Sequence, residues 1–414
     1  MGGTSTIVDM HAGFLSRFHR SDVDTPVRRA RPLTALAAGA VLLSVTLTGC
    51  AGATASVEPT ATATTSVTQE VTATTTAATT TDTDGTSATT TAETITDTAA
   101  AAEAFLATLS DEQRDAVLYA FDDETKTTSW SNFPVTFVQR AGLNLADLAD
   151  EQKTAALAVL ESLLSDEAHA TVVGIMNGDQ YLADYSSSGD AGVLGQYYIA
   201  FFGDPSDTSS WEVQFGGHHL GINATLDGST DAITFAPTHL GVQPAVYTDD
   251  SGTEIQPFDG FYTAAFAFYN SLTAEQQATL TSGDVSMCAP GDTCDFSAGA
   301  GLTGADLTDS QKQLLLELMA NWVGMADEQT TADALAKIEA TLDTTVIAWS
   351  GETTYDMTTG DGINFSISGP NVYIAFQAQQ GSAGADVAGV TTSGWGHVHT
   401  IYREPSNDYA SSVE

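Results

Sequence analysis

Motifs that occur twice, in the same order, constrain the fold of this chain more than any other feature of its sequence. Their offsets lie between 159 and 179 residues and differ only by loop-sized steps. Because four ordered matches are hard to explain by chance, we expect an internal duplication, with one half over residues 100–260 and the other over 261–410. The four pairs are LSDEQ (109–113) with LTAEQ (272–276), LADEQKTAALAVLESLL (from 148) with LTDSQKQLLLELMANWV (from 307), YIAF (198–201) with YIAF (373–376), and GHH (217–219) with GHVH (396–399).

Each predicted half begins with helices and continues with strands. LSDEQ and LTAEQ are typical helix starts, with Ser110 and Thr273 as N-caps and acidic residues in the first turn. The segment from Leu148 carries apolar residues at helical spacing, whereas QYYIAFFG and NVYIAFQA have the composition of strands. WEVQFGGHHLGINATL and WGHVHTIYR are expected to be strands that glycine interrupts with a bulge. The pattern predicts an α+β fold of two pseudo-symmetric halves, each with N-terminal helices followed by antiparallel strands.

The N-terminal region has the composition of an export signal. An arginine-containing stretch precedes an apolar run over residues 33–47, which is too short for an ordinary membrane-spanning helix. The segment LTGC, which ends at Cys50, is similar to the bacterial lipobox, in which the cysteine is lipidated; a secretory signal with a chance cysteine is the alternative. We expect residues 1–49 to be a lipoprotein signal peptide and the mature protein to be extracytoplasmic, anchored to the cell membrane by a lipid on Cys50.

A threonine- and alanine-rich segment follows the predicted signal. Residues 51–100 contain 21 Thr and 12 Ala and neither Lys nor Arg. Such a composition lacks the apolar side chains that a core needs, so residues 50–99 are expected to form a disordered tether between the lipid anchor and the folded region.

The charge of the mature chain limits its partners. Without residues 1–49, 7 Lys and Arg remain against 50 Asp and Glu, a net charge of −43. Binding of nucleic acid is excluded because phosphate neutralisation needs clustered cations, and anionic membrane surfaces repel the folded region. The expected partner is a small-molecule or metal ligand, and the membrane is contacted through the lipid anchor only.

Two cysteines follow Cys50, at Cys288 and Cys294 in the loop CAPGDTC. Outside the cytoplasm, a close pair in a Pro-Gly loop favours a disulfide that staples the loop. Half of a metal site is one alternative, although no second cysteine pair is present to complete it, and free thiols are another.

Blocks from several parts of the chain resemble an uncharacterised protein family. They are GLNLADLADEQ, YYIAFFGDPS, WEVQFGGHHLGIN and the terminal HVHTIYREPSNDYA. On these blocks the chain resembles the domain-of-unknown-function family numbered 3500 over essentially all of residues 100–410. The typical ending of that family has a glycine after the Asp-Tyr pair, where this chain has Ala410. The resemblance implies export and lipoprotein architecture, as in many bacterial members, and supplies no established activity.

Four of the six histidines after residue 49 lie in the blocks GGHHLG and GHVHTIYR. Alternate side chains of a strand share a face, so His397 and His399 should point the same way, and His218 and His219 opposite ways. Aligning the preceding glycines sets His218 at the place of His397. A pseudo-twofold contact is then expected to bring together His218, His397 and His399, a three-imidazole zinc site that also suits copper or iron. A polar site without metal and a purely structural role are the alternatives.

The acid–base group of such a site has several candidates. His219, Glu404 and Asp408 are the candidate acids and bases. Arg403, four residues after His399, is a candidate clamp for a carboxylate or oxyanion, or else part of a salt-bridged corner. The sequence therefore favours an exported, lipid-anchored protein with a histidine-rich site between two duplicated halves, acting as a metal-dependent hydrolase. The alternatives are a non-catalytic ligand- or metal-binding lipoprotein and a scaffold.

Overall fold

A computed structural model describes most of the chain after its N-terminal region. The predicted signal peptide, the lipidation site Cys50 and most of the predicted tether lie outside the described residues. None of the helices in the described part is long and apolar enough to cross a membrane. The described residues are 89–413 without 188, 190–193, 283–284, 291–293, 295, 297–299 and 381–383.

Helices and strands alternate as groups along the described residues. The helices are α1 Thr91–Ala107, α2 Asp111–Val117, α3 Asp150–Leu163, α4 Asp166–Tyr185, α5 Asp259–Ser271, α6 Ala274–Gln277, α7 Asp309–Val323 and α8 Glu328–Glu339. The strands are β1 Leu118–Tyr119, β2 Leu143–Asn144, β3 Tyr198–Phe202, β4 Ser210–Gly216, β5 Leu220–Asp227, β6 Ala232–Thr234, β7 Thr238–Val242, β8 Tyr247–Thr248, β9 Glu254–Ile255, β10 Leu302–Thr303, β11 Val346–Gly351, β12 Ile363–Gly369, β13 Val372–Ala378 and β14 Val398–Arg403.

The folded region begins earlier than its composition suggests. Helix α1 starts at Thr91, inside the expected tether, and buries Ile95 and Ala99. Thr90 and Glu93 form a capping box that satisfies the free backbone N–H groups at its start. The boundary predicted at residue 99 is therefore nine residues too late, because packing of α1 against α3 stabilises a segment whose composition alone is typical of disorder.

One sheet connects the two predicted halves. Its order is β1-β3-β4-β5-β7-β14-β13-β12-β11-β10, with β2 paired to β3 and β6 to β5, while β8 and β9 form a separate ribbon. The pairings from β3 to β7 and from β14 to β11 are antiparallel, as is the central pairing of β7 with β14. The mixed α+β class with antiparallel strands is confirmed.

The predicted halves share one core. The described residues lie within one compact unit, and a single large apolar cluster draws on helices and strands of both halves. The two YIAF segments occupy different positions, since β3 is three strands away from the central β7, whereas β13 is next to the central β14. That motif pair therefore does not mark equivalent strands, and the duplication itself stays a prediction.

The two faces of the central strand β14 have different surroundings. Val398 and Tyr402 belong to the large core, and Trp322 of α7 donates a hydrogen bond to Thr400 on the same face at 2.9 Å. Ile401 points the other way and packs with Trp130 in a second cluster. His399 has the parity of Ile401, so it lies on the face that α7 does not cover.

Candidate metal centre

His218 and His219 lie in the turn between two strands, not in a strand. β4 ends at Gly216 and β5 begins at Leu220. A Cβ atom at Gly217 would lie 2.2 Å from a backbone carbonyl oxygen, so only glycine fits there. His219 has a φ of 59°, in the left-handed region that a tight reversal uses. His218 and His219 therefore do not follow the alternation of a strand, and the expectation that they lie on opposite faces of one strand is wrong.

Three imidazole nitrogens converge at this turn. The Nε2 atom of His397 lies 3.2 Å from that of His219 and 3.2 Å from that of His399. All three side chains are buried, and one ligand nitrogen from each lies within 4.8 Å of the other two. The structure thus places His219, and not the predicted His218, beside His397 and His399.

The spacing of these nitrogens suits a shared metal ion better than hydrogen bonds. His219 Nδ1 lies 2.8 Å from a carboxylate oxygen of Asp179 and donates to it, which leaves a lone pair on His219 Nε2. His397 Nε2 holds either a proton or a lone pair, so it forms at most one of its two short contacts as an ordinary hydrogen bond. Ligands at Zn–N distances of about 2.0 Å in a tetrahedron lie roughly 3.3 Å apart, close to the observed spacing.

Asp179 is the principal site residue that sequence reasoning missed. It lies on α4 and is completely buried. Its helical stripe is otherwise apolar, with Val172, Ile175 and Leu182 buried at the neighbouring positions. Burying a carboxylate among apolar side chains costs free energy unless it has polar partners. An aspartate on the apolar face of a predicted helix therefore indicates a buried polar site, and this pattern could have been found in the sequence.

Charge and burial set the protonation of the cluster. Burial alone would raise the pKa of Asp179, but His218 and His219 outweigh it and hold that pKa below its ordinary value. Tyr197 also donates to the second carboxylate oxygen of Asp179 at 2.9 Å. Burial lowers the pKa of His219 to about 4, and burial with neighbouring histidines holds the pKa of His399 well below its usual range. Neutral imidazoles are the form that binds metals.

His218 occupies a different place from its neighbour. Its side chain is 12% exposed, and its Nδ1 lies 3.4 Å from the Asp179 carboxylate. Its ring centroid is 3.6 Å from that of His219. His218 therefore shares Asp179 with His219 and also reaches the surface of a cavity.

A cavity of about 430 Å³ opens beside the three converging nitrogens. His218, His397 and His399 line it, together with Gln377 and Gln379 from the end of β13 and the residue beyond it. Two chain segments form its walls, residues 132–134 and residues 285–287. The volume is in the range of small-molecule sites, so the cluster has an approach for a ligand.

Comparison with known proteins identifies the chain by family alone. The family described as "Protein of unknown function (DUF3500)" matches residues 91–411. The chain belongs to this family. The comparison with curated proteins gives no significant match, and neither does the comparison with solved structures. The match begins at the first residue of α1 and includes Asp179 and the converging histidines, so the DUF3500 region contains the whole site.

Arg140 ties the cavity wall of this DUF3500 protein to the histidine turn. Its guanidinium donates to the carbonyl oxygens of Ser131 at 2.9 Å, Phe133 at 2.6 Å and Gly217 at 2.6 Å. Burial lowers its pKa to about 10, which leaves it charged at neutral pH. The forked guanidinium can collect several carbonyl groups at once, and it thereby positions the turn that carries His219.

The predicted Arg403, Glu404 and Asp408 do not reach the histidines. Arg403 forms a salt bridge to Asp408 at 2.7 Å and donates to the carbonyl of Cys288, and Glu404 accepts hydrogen bonds from neighbouring hydroxyl groups at 2.8 and 2.9 Å. None of the three lines the histidine cavity. The reason is distance, because four residues along a strand separate Arg403 from His399 by about 13 Å. The catalytic roles expected for these three residues are therefore not supported, and the salt-bridged corner is what the structure contains.

The expected disulfide between Cys288 and Cys294 is present in this DUF3500 protein, with a Cα–Cα distance of 4.6 Å. It directly follows the cavity wall at residues 285–287. Tyr373 of β13 donates to the carbonyl oxygen of Ser286 at 2.8 Å. The disulfide and this hydrogen bond hold one wall of the cavity near the sheet.

Proposed function

We propose that the protein is a metal-dependent hydrolase whose zinc ion is held by His219, His397 and His399. The observation that carries this proposal is the pair of 3.2 Å contacts joining the three Nε2 atoms. A zinc ion held by these three histidines would have a position left for water, would lower the pKa of that water to about 7 and would polarise a carbonyl group. Copper also suits an all-nitrogen set, whereas non-haem iron sites usually include a carboxylate ligand.

Asp179 orients one of the ligands. Its Oδ1 accepts the Nδ1 proton of His219 at 2.8 Å, and its Oδ2 accepts the Tyr197 hydroxyl proton at 2.9 Å. A carboxylate behind a metal-binding histidine holds the ring in one tautomer and raises its basicity. The 2.8 Å distance is typical of a hydrogen bond, so Asp179 serves as this partner instead of as a ligand to a second ion.

His218 is the best-placed group to move a proton. It is the partly exposed member of the His218–His219 pair, lines the cavity and has its Nδ1 near the Asp179 carboxylate. An imidazole beside a carboxylate can accept a proton from water and return it to a leaving group. His218 thus takes the catalytic role first expected of His219, and His219 takes the metal-binding role first expected of His218.

A non-catalytic metal- or ligand-binding protein is the second candidate. The described residues that line the cavity include no Asp, Glu, Lys or Arg. Histidines are therefore the acid–base groups of this described lining. A site with so few proton carriers favours binding over turnover. This candidate predicts stoichiometric metal binding without hydrolysis.

Export and lipid anchoring complete the proposal. The signal-like N-terminus and Cys50 support delivery outside the cytoplasm, where the Cys288–Cys294 disulfide is stable. The threonine-rich segment before α1 then holds the folded region away from the membrane, and the strongly acidic surface suits an exposed, soluble location.

We also propose that the two halves arose by duplication. The bond from Gln152 to Gln113 at 3.0 Å has a counterpart in the bond from Gln311 to Gln276 at 2.8 Å. β7 pairs with β14 so that Val242 lies opposite Val398 and Thr238 lies opposite Tyr402. Thr238 and Val398 are 160 residues apart, as are Val242 and Tyr402, so each pair becomes the other when the two strands are exchanged. The same offset makes His239 the counterpart of His399. These regularities support the proposal by relating the halves at the strand pair beside the site.

Metal analysis of the purified protein tests the proposed site. We expect about one equivalent of zinc in the wild type and strong loss in H219A, H397A and H399A. H169A is the matched control, because His169 lies on α4 outside the cluster. A metal content below about a tenth of an equivalent after incubation with zinc, copper or iron would sink the proposal.

Hydrolysis of a simple activated ester separates the two candidates. A hydrolase should lose activity on chelation and regain it with zinc, and H218A should bind zinc but turn over slowly. Zinc binding with no metal-dependent turnover of any ester would favour the binding protein.

A further inference from the structure

The cavity beside the histidines is lined by uncharged groups. Its described lining contains side-chain amides, a serine, apolar side chains and histidines, but no Asp, Glu, Lys or Arg. Phosphate and carboxylate ligands are usually held by several Arg or Lys side chains, and the described lining has neither, so the proposed zinc ion would be its one cation. The net charge of −41 for the whole chain further repels anionic polymers. The lining therefore favours an uncharged ligand.

The strands below the cavity offer no free edge to a peptide. β13 pairs with β12 on one side and β14 on the other, and β14 pairs with β13 and β7. Extended peptides are commonly bound by adding a strand to an exposed sheet edge, which is impossible here. Recognition must use side chains.

The amide side chains match a ligand that carries hydroxyl groups. The Oε1 atom of Gln379 is buried and has no hydrogen-bond partner among the described residues. Gln377 and Asn132 add further amides to the lining, and each amide offers both a donor and an acceptor, as a hydroxyl group does. A buried polar atom left without a partner is costly, so a ligand hydroxyl that satisfies Gln379 stabilises the complex.

An aromatic ring stands at the rim of the same cavity. Phe133 lines it with 42% of its surface exposed. Large exposed apolar side chains beside a cavity mark a ligand-contact surface. A ring with an apolar face and hydroxyl edges, such as a sugar, satisfies both Phe133 and the amides.

We propose that the substrate is an uncharged carbohydrate bearing an O-acyl ester, an inference that rests on the proposed function. A metal ion polarises an ester carbonyl, whereas glycosidic bonds are usually cleaved by a pair of carboxylates, which the described lining lacks. In the reaction the oxygen of water bonds to the acyl carbon and the bond from that carbon to the sugar oxygen breaks. His218 accepts the water proton and returns a proton to the sugar oxygen, which yields a free carboxylic acid and a sugar hydroxyl.

Acetate release by the zinc-loaded full-length protein tests this inference. The probes are acetylated xylo-oligosaccharides, which are neutral, acetylated oligogalacturonides, which are anionic, and p-nitrophenyl acetate. We expect preference for the neutral sugar ester, with KM about tenfold higher in Q379L and about threefold higher in F133A at unchanged zinc content. Y185A, which alters an exposed aromatic residue outside the cavity lining, should match the wild type.

The outcomes separate the inference from the function on which it rests. Zinc-dependent hydrolysis of p-nitrophenyl acetate without action on the neutral sugar ester would overturn the carbohydrate assignment and leave the hydrolase in place. Equal rates on neutral and anionic sugars, or unchanged KM in Q379L and F133A, would also overturn it. Failure to hydrolyse any of the three esters would overturn the hydrolase proposal itself.

Discussion

The Nε2 atoms of His219 and His397 lie 3.2 Å apart although 178 residues separate them in the chain. The strand order explains this proximity. β5 begins at Leu220 opposite Leu240 of β7, and β14 begins at Val398 opposite Val242 of β7. The turn that carries His219 and the start of β14 beside His397 therefore reach the same end of β7, where α4 supplies Asp179. The site depends on one central strand and its two neighbours.

Replacing Asp179 by asparagine should weaken metal binding without abolishing it. An amide cannot stabilise the His219 ring as a carboxylate does, so the affinity for zinc should fall about 10–100-fold at unchanged stoichiometry. Competition with a chromophoric chelator measures this. D184N is the matched control, since Asp184 lies exposed on the same helix and accepts a hydrogen bond from Gln180 of that helix. Equal affinity in D179N and the wild type would contradict the orienting role.

Replacing Arg140 by lysine should destabilise the fold and loosen the histidine turn. Arg140 binds the carbonyls of Ser131, Phe133 and Gly217 through Nη2 and that of Val138 through Nη1. A lysine has one nitrogen on a shorter side chain, so it cannot serve both groups, and each buried carbonyl left unpaired costs about 1–3 kcal/mol. We expect the free energy of unfolding in denaturant to fall by about 2 kcal/mol or more, and zinc affinity to fall with it. R114K should cost less, since Arg114 donates to a single carbonyl. Similar losses in both variants would argue against a special role for Arg140.

A second buried charge pair lies outside the site. Lys126 and Glu212 are both completely buried, with Nζ and Oε2 3.4 Å apart. Burial raises the pKa of Glu212 to about 7 and lowers the pKa of Lys126, while each partner opposes the shift of the other. Between about pH 4.5 and 7 the folded protein therefore retains a proton on Glu212 that the unfolded chain has released. The contribution of Glu212 to the free energy of unfolding is fully present below the ordinary pKa of a glutamate and is lost as the pH rises through about 7.

Removing the lysine should enlarge that pH dependence. In K126M the carboxyl has no cation, so the free energy of unfolding at pH 8 should fall by about 3–5 kcal/mol and should decline more steeply from pH 5 to 8 than in the wild type. The double variant K126M/E212Q carries no titrating group there, so it should lack the added slope and exceed K126M in stability at pH 8. Denaturant titrations across this range provide the measurement. Parallel pH profiles for K126M and K126M/E212Q would refute the account.

Ala410, near the C-terminus, should respond to replacement by glycine. Ala410 has a φ of 50°, in the left-handed region that costs an ordinary residue roughly 1–2 kcal/mol. Glycine removes that cost but adds about 0.5–1 kcal/mol of entropy to the unfolded chain, so A410G should gain up to about 1 kcal/mol. A340G should lose stability instead, because Ala340 has a φ of −59°. Calorimetric melting of both variants tests the opposite signs.

Local features of the fold could be predicted because neighbouring residues decide them. Ser110 and Thr273 cap α2 and α6 as expected, each with a glutamine three residues later that completes the capping box. The strands containing YIAF are also present. The start of α1 was missed because its contacts with α3 come from a distant segment.

The sequence by itself determined the starts of α2 and α6, the strands that contain YIAF, the family and which two blocks hold the histidines. The tertiary structure decided which histidines meet. His219 replaces His218 because a left-handed φ in a turn sets its direction, which strand periodicity cannot anticipate. Asp179 enters the site because α4 packs against β5 and β7, and Arg403 stays outside because strand geometry keeps it about 13 Å from His399. Side-chain convergence depends on chain reversals and strand order, and neither is encoded in the spacing of residues along one segment.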